Sequence, residues 1–97
     1  TERSIVYRIY TEAFDNLAQL TARRFEGATL FDAKGLWQGI VERSTVIEII
    51  GKGSDESEIV NLATDIAFTN RQSVVLVTRN GERFDVAGPS RSHESAD

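Results

Sequence analysis

Few side chains in this 97-residue sequence can do chemistry. It has no cysteine, which removes disulfide scaffolds, thiolate zinc sites and thiol nucleophiles together. The single histidine, His93, lies in a polar stretch, so multi-histidine metal sites and most histidine-based acid–base catalysis lack their residues. Any chemistry must rest on carboxylates, arginines, aromatics, amides or backbone groups. Glu42 stands at the entry to a β-branched run, and Glu48 stands inside that run among valine and isoleucines. A carboxylate on an apolar face is costly unless paired, and Arg8 is the candidate partner for Glu48. The only tryptophan, Trp37, falls between Gly35 and Gly39. A flat indole beside glycines suits stacking on a base or contact with a cation, and it equally suits filling a subunit interface.

Other candidates read more plainly. Gly51-Lys52-Gly53-Ser54 precedes a helix, where backbone amides attract anions, but it lacks the spacing of a Walker loop and reads as a strand-to-helix connection. Arg23-Arg24 closes a helix and suits the negative end of its dipole. No metal site and no cofactor are expected. The formal net charge of −4 and pI of about 5.0 argue against broad electrostatic capture of nucleic acid or anionic membrane. No apolar run approaches the ~18 to 20 residues of a membrane span, and no signal-peptide pattern opens the sequence. A soluble, cytoplasmic domain is the expectation.

The elements that must position these residues follow from periodicity. Residues 4–10 are β-branched and aromatic and read as a strand. Thr11 can cap a helix over residues 12–24, whose first turn carries Glu12 and Asp15. A second strand over residues 28–33 leads into a loop holding Gly35, Trp37 and Gly39. Residues 44–50 form the third strand. Asp55 and Glu58 then open a second helix with Ile59, Leu62, Ala63, Ile66 and Ala67 on one face. Residues 73–78 form the fourth strand, and Asn80-Gly81 turns the chain back through residues 82–86.

The order β-α-β-β-α-β with an added C-terminal hairpin strand defines an α+β, ferredoxin-like fold. It predicts a four-stranded antiparallel sheet with both helices on one face. Residues 1–87 form the domain and residues 88–97 a flexible polar tail. In the third strand, Val46, Glu48 and Ile50 oppose Thr45, Ile47 and Ile49, so both sheet faces are largely apolar. Two helices cover only one. A small domain rarely leaves such a face bare, which predicts self-association through it; a fold-back of the C-terminal segment is the alternative.

The pattern resembles the small phage-encoded S-adenosylmethionine lyases, whose trimeric fold is similar to PII-like signalling proteins. The resemblance is carried by Thr45-Val46, Asn61-Leu62-Ala63, Ala67 and the run from Gln72 to Val77, with Gly35-Leu36-Trp37 and Glu42 upstream. It covers residues 27–78. It implies a homo-oligomer, a trimer in form, with S-adenosylmethionine bound at a subunit interface. The substrate's own carboxylate would attack its γ-carbon, giving methylthioadenosine and L-homoserine lactone without metal, thiol or histidine base. The implied catalytic carboxylate is Glu42 or Glu48, and Gly35, Trp37 and Gly39 would contact substrate. Glu82, at the hairpin turn, is added on geometry alone. One departure matters: the family has a tyrosine where this sequence has Trp37, which offers no phenol hydroxyl.

Two other classes share these features. One is a PII-like module that binds a nucleotide without turnover. The other is a phage protein-interaction or inhibitor domain that uses its acidic surface. The fold alone cannot choose among them.

Overall fold

A computed structural model describes residues 3–89. The chain forms strand β1 (Ile5–Glu12), helix α1 (Leu17–Ala22), strands β2 (Thr29–Trp37) and β3 (Ile40–Gly51), a single 3-10 turn at Gly53–Asp55, helix α2 (Glu56–Thr69), and strands β4 (Val74–Arg79) and β5 (Glu82–Ala87). All strands pair antiparallel in one sheet of order β2-β3-β1-β4-β5. This is the expected α+β, ferredoxin-like arrangement, but the sheet has five strands rather than four. The returning strand β5 pairs along all of β4, so it extends the sheet edge.

The core lies between the helices and one sheet face. Ile59, Leu62, Ala63, Ile66 and Ala67 of α2 are all buried, as their spacing predicts. They pack on Tyr7 and Ile9 of β1, Ile47 and Ile49 of β3, and Val75 and Val77 of β4. Burial alternates along β1 and the second half of β3, so one side of each strand faces the helices. Tyr7 is fully buried, and its hydroxyl donates to the Lys52 carbonyl at 2.8 Å.

Three expectations need correction. Helix α1 is far shorter than residues 12–24, because Thr11 and Glu12 belong to β1, opposite Thr45 and Ser44 of β3. Thr11 is buried and its hydroxyl meets Gln72 Oε1 at 2.8 Å, so it caps nothing. The expected loop around Trp37 is instead a long hairpin. β2 continues through Gly35 to Trp37 and β3 begins at Ile40, joined by Gln38-Gly39, both at positive φ (50° and 79°). Two such residues match the twist of antiparallel strands, as in the Asn80-Gly81 turn (48° and 85°) that the sequence did signal.

Of the segment read as a tail, Gly88 and Pro89 are described, and the Gly88 N–H donates to the Ser73 carbonyl at 2.8 Å. His93 lies outside the described residues. Among the described residues, no helix is long and apolar enough to cross a membrane.

Candidate functional site

The sheet face turned away from the helices is built in rows by the strand register. Phe31, Val46, Tyr10 and Leu76 stand opposite one another on β2, β3, β1 and β4. The next row holds Ala33, Ser44 and Glu12, and beyond it Gly35 stands opposite Glu42 and Trp37 opposite Ile40. Directly opposed residues of an antiparallel pair share a face, so all of these project to the same side. As the sequence predicts, the helices leave this face uncovered, with Ile50 63% exposed, Phe31 46% and Val74 50%. It is mixed rather than apolar throughout, since Arg8, Glu12, Glu42 and Glu48 share it.

A concavity of about 570 Å³ opens on this face, within the range of about 300–1,000 Å³ for small-molecule sites. Tyr10, Ala33, Val46, Val74 and Leu76 line it, with Trp37 at one end and Arg83 at the other. A second hollow of about 420 Å³ shares Glu12, Trp37, Gln72 and Val74 with it and adds Glu42, Arg71 and Ser73. Together they make one cleft with an aliphatic and aromatic floor, an indole wall and two carboxylates. Gly35 keeps the floor open beside Ser44: a Cβ there would stand 2.5 Å from Ser44 Oγ. Gln72 is fixed by its amide oxygen, which accepts from Asn70 Nδ2 at 2.8 Å and lies 2.8 Å from the Thr11 hydroxyl.

The structure brings Gly35, Trp37 and Glu42 together at this cleft. Gly39 sits in the hairpin turn beyond it. Glu48 lies on the same face but three rows further from Trp37 than Glu42 does, engaged by Arg8 as its sequence context suggested. Arg8 Nε and a terminal guanidinium nitrogen reach the same Glu48 oxygen at 3.0 and 2.9 Å. That hydrogen bond, and then the carboxylate charge, push the Arg8 guanidinium above its ordinary value. Glu82 is opposite Arg79, whose register places it on the helix-covered face, away from the cleft.

Sequence reasoning missed Tyr10, Glu12 and Arg83 as cleft residues. The first two were findable: Val6, Arg8, Tyr10 and Glu12 continue one strict alternation, which argues for a strand running through Glu12. Arg83 has an in-strand partner, with Nε 3.2 Å from Asp85 Oδ1.

The hairpin tip adds a different feature. Leu36 (72% exposed) and Val41 (62%) lie on one side of it, Trp37 (67%) and Ile40 (61%) on the other. The hairpin tip is therefore a ribbon that is apolar on both sides.

Fold and site thus define a ferredoxin-like domain with a cleft of small-molecule size on the sheet face that its helices leave open. No protein-family model and no curated protein matches the sequence. Among solved structures, the chain is similar to a phage SAM lyase in complex with S-methyl-5'-thioadenosine, with a TM-score of 0.70 over 90% of this chain and 92% of that one at 15% identity. It is also similar to a phage SAM lyase in the apo state, with a TM-score of 0.52 over 86% and 88% at 12% identity. The fold of this protein is that of the phage SAM lyase structures.

Proposed function

We propose that this protein is an S-adenosylmethionine lyase. The observation that carries the reading is the meeting of Trp37 and Glu42 at a cleft with an apolar floor, and the fold shared with a lyase that holds methylthioadenosine supports it.

The reaction asks for little acid–base machinery. A carboxylate oxygen of the substrate forms a bond to its own γ-carbon, closing a five-membered lactone. The bond from that carbon to sulfur breaks, and its electron pair stays on sulfur. The sulfonium becomes the neutral thioether of methylthioadenosine, and the other product is L-homoserine lactone. No proton moves. Opposite charges are annihilated in the step, so apolar walls destabilise the separated charges of the reactant more than the transition state. Tyr10, Val46, Val74 and Leu76 supply such walls.

Orientation is the remaining requirement, because attack must come from the side of carbon opposite sulfur. Trp37 offers its π-face to the sulfonium, and Glu42 attracts that cation from beside it. The same carboxylate repels the substrate's own carboxylate toward the far side of the γ-carbon. Glu42 is therefore the essential glutamate in this reading, and Glu48 holds Arg8.

Self-association belongs to the same proposal. Leu36, Trp37, Ile40 and Val41 are more apolar surface than a small hairpin leaves in water, and the cleft has one open side. A homotrimer, closing each cleft with a neighbouring copy, satisfies both, in the cytoplasm of an infected bacterium where the substrate is made. Sedimentation analysis is expected to give three times the chain mass; a strict monomer at assay concentration refutes this part.

The direct test is incubation with S-adenosylmethionine, following products by chromatography and mass. Methylthioadenosine and homoserine lactone above background decay support the lyase. Binding of methylthioadenosine without turnover leaves the nucleotide-binding module, and absence of both refutes a small-molecule function for this cleft.

A further inference from the structure

Resting on the lyase reading, we infer that Glu12 is the positioning residue for the substrate's α-ammonium group. Glu12 ends β1 opposite Ser44, two residues along β3 from Glu42, so the two carboxylates are diagonal neighbours on one face. Such positions lie about 7–8 Å apart, close enough for the two side chains to flank one ligand. Glu12 lines both hollows of the cleft, as Trp37 does, whereas Glu42 lines only the smaller one.

The reaction chemistry assigns the two roles. The substrate carries two cations, a sulfonium without N–H groups and an ammonium with three. Only the ammonium donates hydrogen bonds, and a carboxylate accepting them makes the stronger, charge-assisted kind. The nucleophilic carboxylate must stay unpaired to attack, so the amino-acid end is best held by its ammonium. Asn70 Nδ2, 3.4 Å from Glu12 Oε1, also contacts Gln72, so the turn after α2 steadies this carboxylate. The ammonium keeps its charge from substrate to lactone. Glu12 thus binds ground state and transition state alike, and its loss raises KM while leaving kcat in place.

Three ligands test this on Glu12→Gln and on Glu12→Asp. S-Adenosylmethionine has both cations, S-adenosylhomocysteine only the ammonium, and methylthioadenosine neither. The expected result is a loss of roughly tenfold or more in affinity for the first two in Glu12→Gln, with methylthioadenosine unchanged. Glu12→Asp should recover part of that loss, and kcat should change less than about twofold. Equal weakening of all three ligands makes Glu12 a merely structural residue and overturns the inference. Weakening for S-adenosylmethionine alone moves Glu12 to the sulfonium and also overturns it. Unchanged binding throughout does the same while leaving the lyase intact. A wild-type protein that turns over no S-adenosylmethionine is instead the failure of the lyase reading itself.

Discussion

Replacing each glutamate of β3 by glutamine, one at a time, separates a carboxylate that orients substrate from one that holds the sheet. Glu48 has a side chain 19% exposed, and its partner Arg8 is 46% exposed. The half-open guanidinium leaves this pair screened by solvent, so it adds little to stability. Glutamine retains an oxygen that can accept from Arg8, so Glu48→Gln should cost at most about 1 kcal/mol. For a domain of this size that lowers Tm by roughly 4–8 °C or less. Salt should narrow the gap, since the pair is screened. Turnover should stay within about twofold of wild type. Glu42 is exposed and opposite a glycine, so Glu42→Gln should move stability by less than about 0.5 kcal/mol. Its kcat should fall by at least about tenfold, about 1.4 kcal/mol or more, because the repulsion that turns the substrate's carboxylate to the far side of the γ-carbon is lost. The attraction for the sulfonium fades in the transition state and does not contribute. Thermal unfolding and initial-rate assays on the two variants decide the matter. Glu48→Gln losing turnover at unchanged Tm, with Glu42→Gln fully active, refutes the reasoning.

The remaining predictions concern single groups. Burial holds the Tyr7 phenol above its ordinary value of 10.0, with nearby Glu56 and Asp55 adding to it and Arg79 opposing it. A raised folded value means this contribution is fully present below about pH 10 and lost as pH rises through the folded value. Tyr7→Phe should therefore cost about 1 kcal/mol at neutral pH through the lost bond to Lys52, and its stability should fall less steeply above pH 10 in denaturant titrations. Trp37 is the only tryptophan, so emission should change as ligand fills the cleft, and a flat titration with methylthioadenosine would separate the indole from the site. Trp37→Ala should weaken S-adenosylmethionine binding by a cation–π contact of about 0.5–2 kcal/mol and S-adenosylhomocysteine less, read by calorimetry. A Cβ at Gly88 would stand 1.9 Å from the Gln72 carbonyl oxygen and 2.7 Å from Ala67 Cβ. Gly88→Ala should cost about 1–3 kcal/mol in chemical unfolding; an unchanged midpoint would mean β5 can shift without cost.

Helix α2 and strand β4 were legible because their burial has a clean period, with Ile59 to Ala67 at helical spacing and Val75 and Val77 facing the core. The Arg8–Glu48 pair was legible for a related reason: an isolated carboxylate in an apolar strand must find a cation. The hairpin through Trp37 was not. Its tip is exposed on both sides, so no alternation of apolar and polar residues marks it, and Gln38-Gly39 is a weaker turn signal than Asn80-Gly81. Glu12 was misread because a threonine followed by acidic residues also describes a helix start. The strand won, since Thr11 is buried in sheet register and bonded to Gln72 sixty-one positions away. That error hid half of the cleft's carboxylate pair.

Oxygen labelling tests the proposed intramolecular displacement most directly. S-Adenosylmethionine is turned over in water enriched in oxygen-18, and the lactone and the homoserine formed from it are fragmented by mass spectrometry. Attack by the substrate's own carboxylate predicts an unlabelled lactone and no label on the γ-oxygen of homoserine. Label on that oxygen would mean water attacked the γ-carbon, and the proposed mechanism would be wrong.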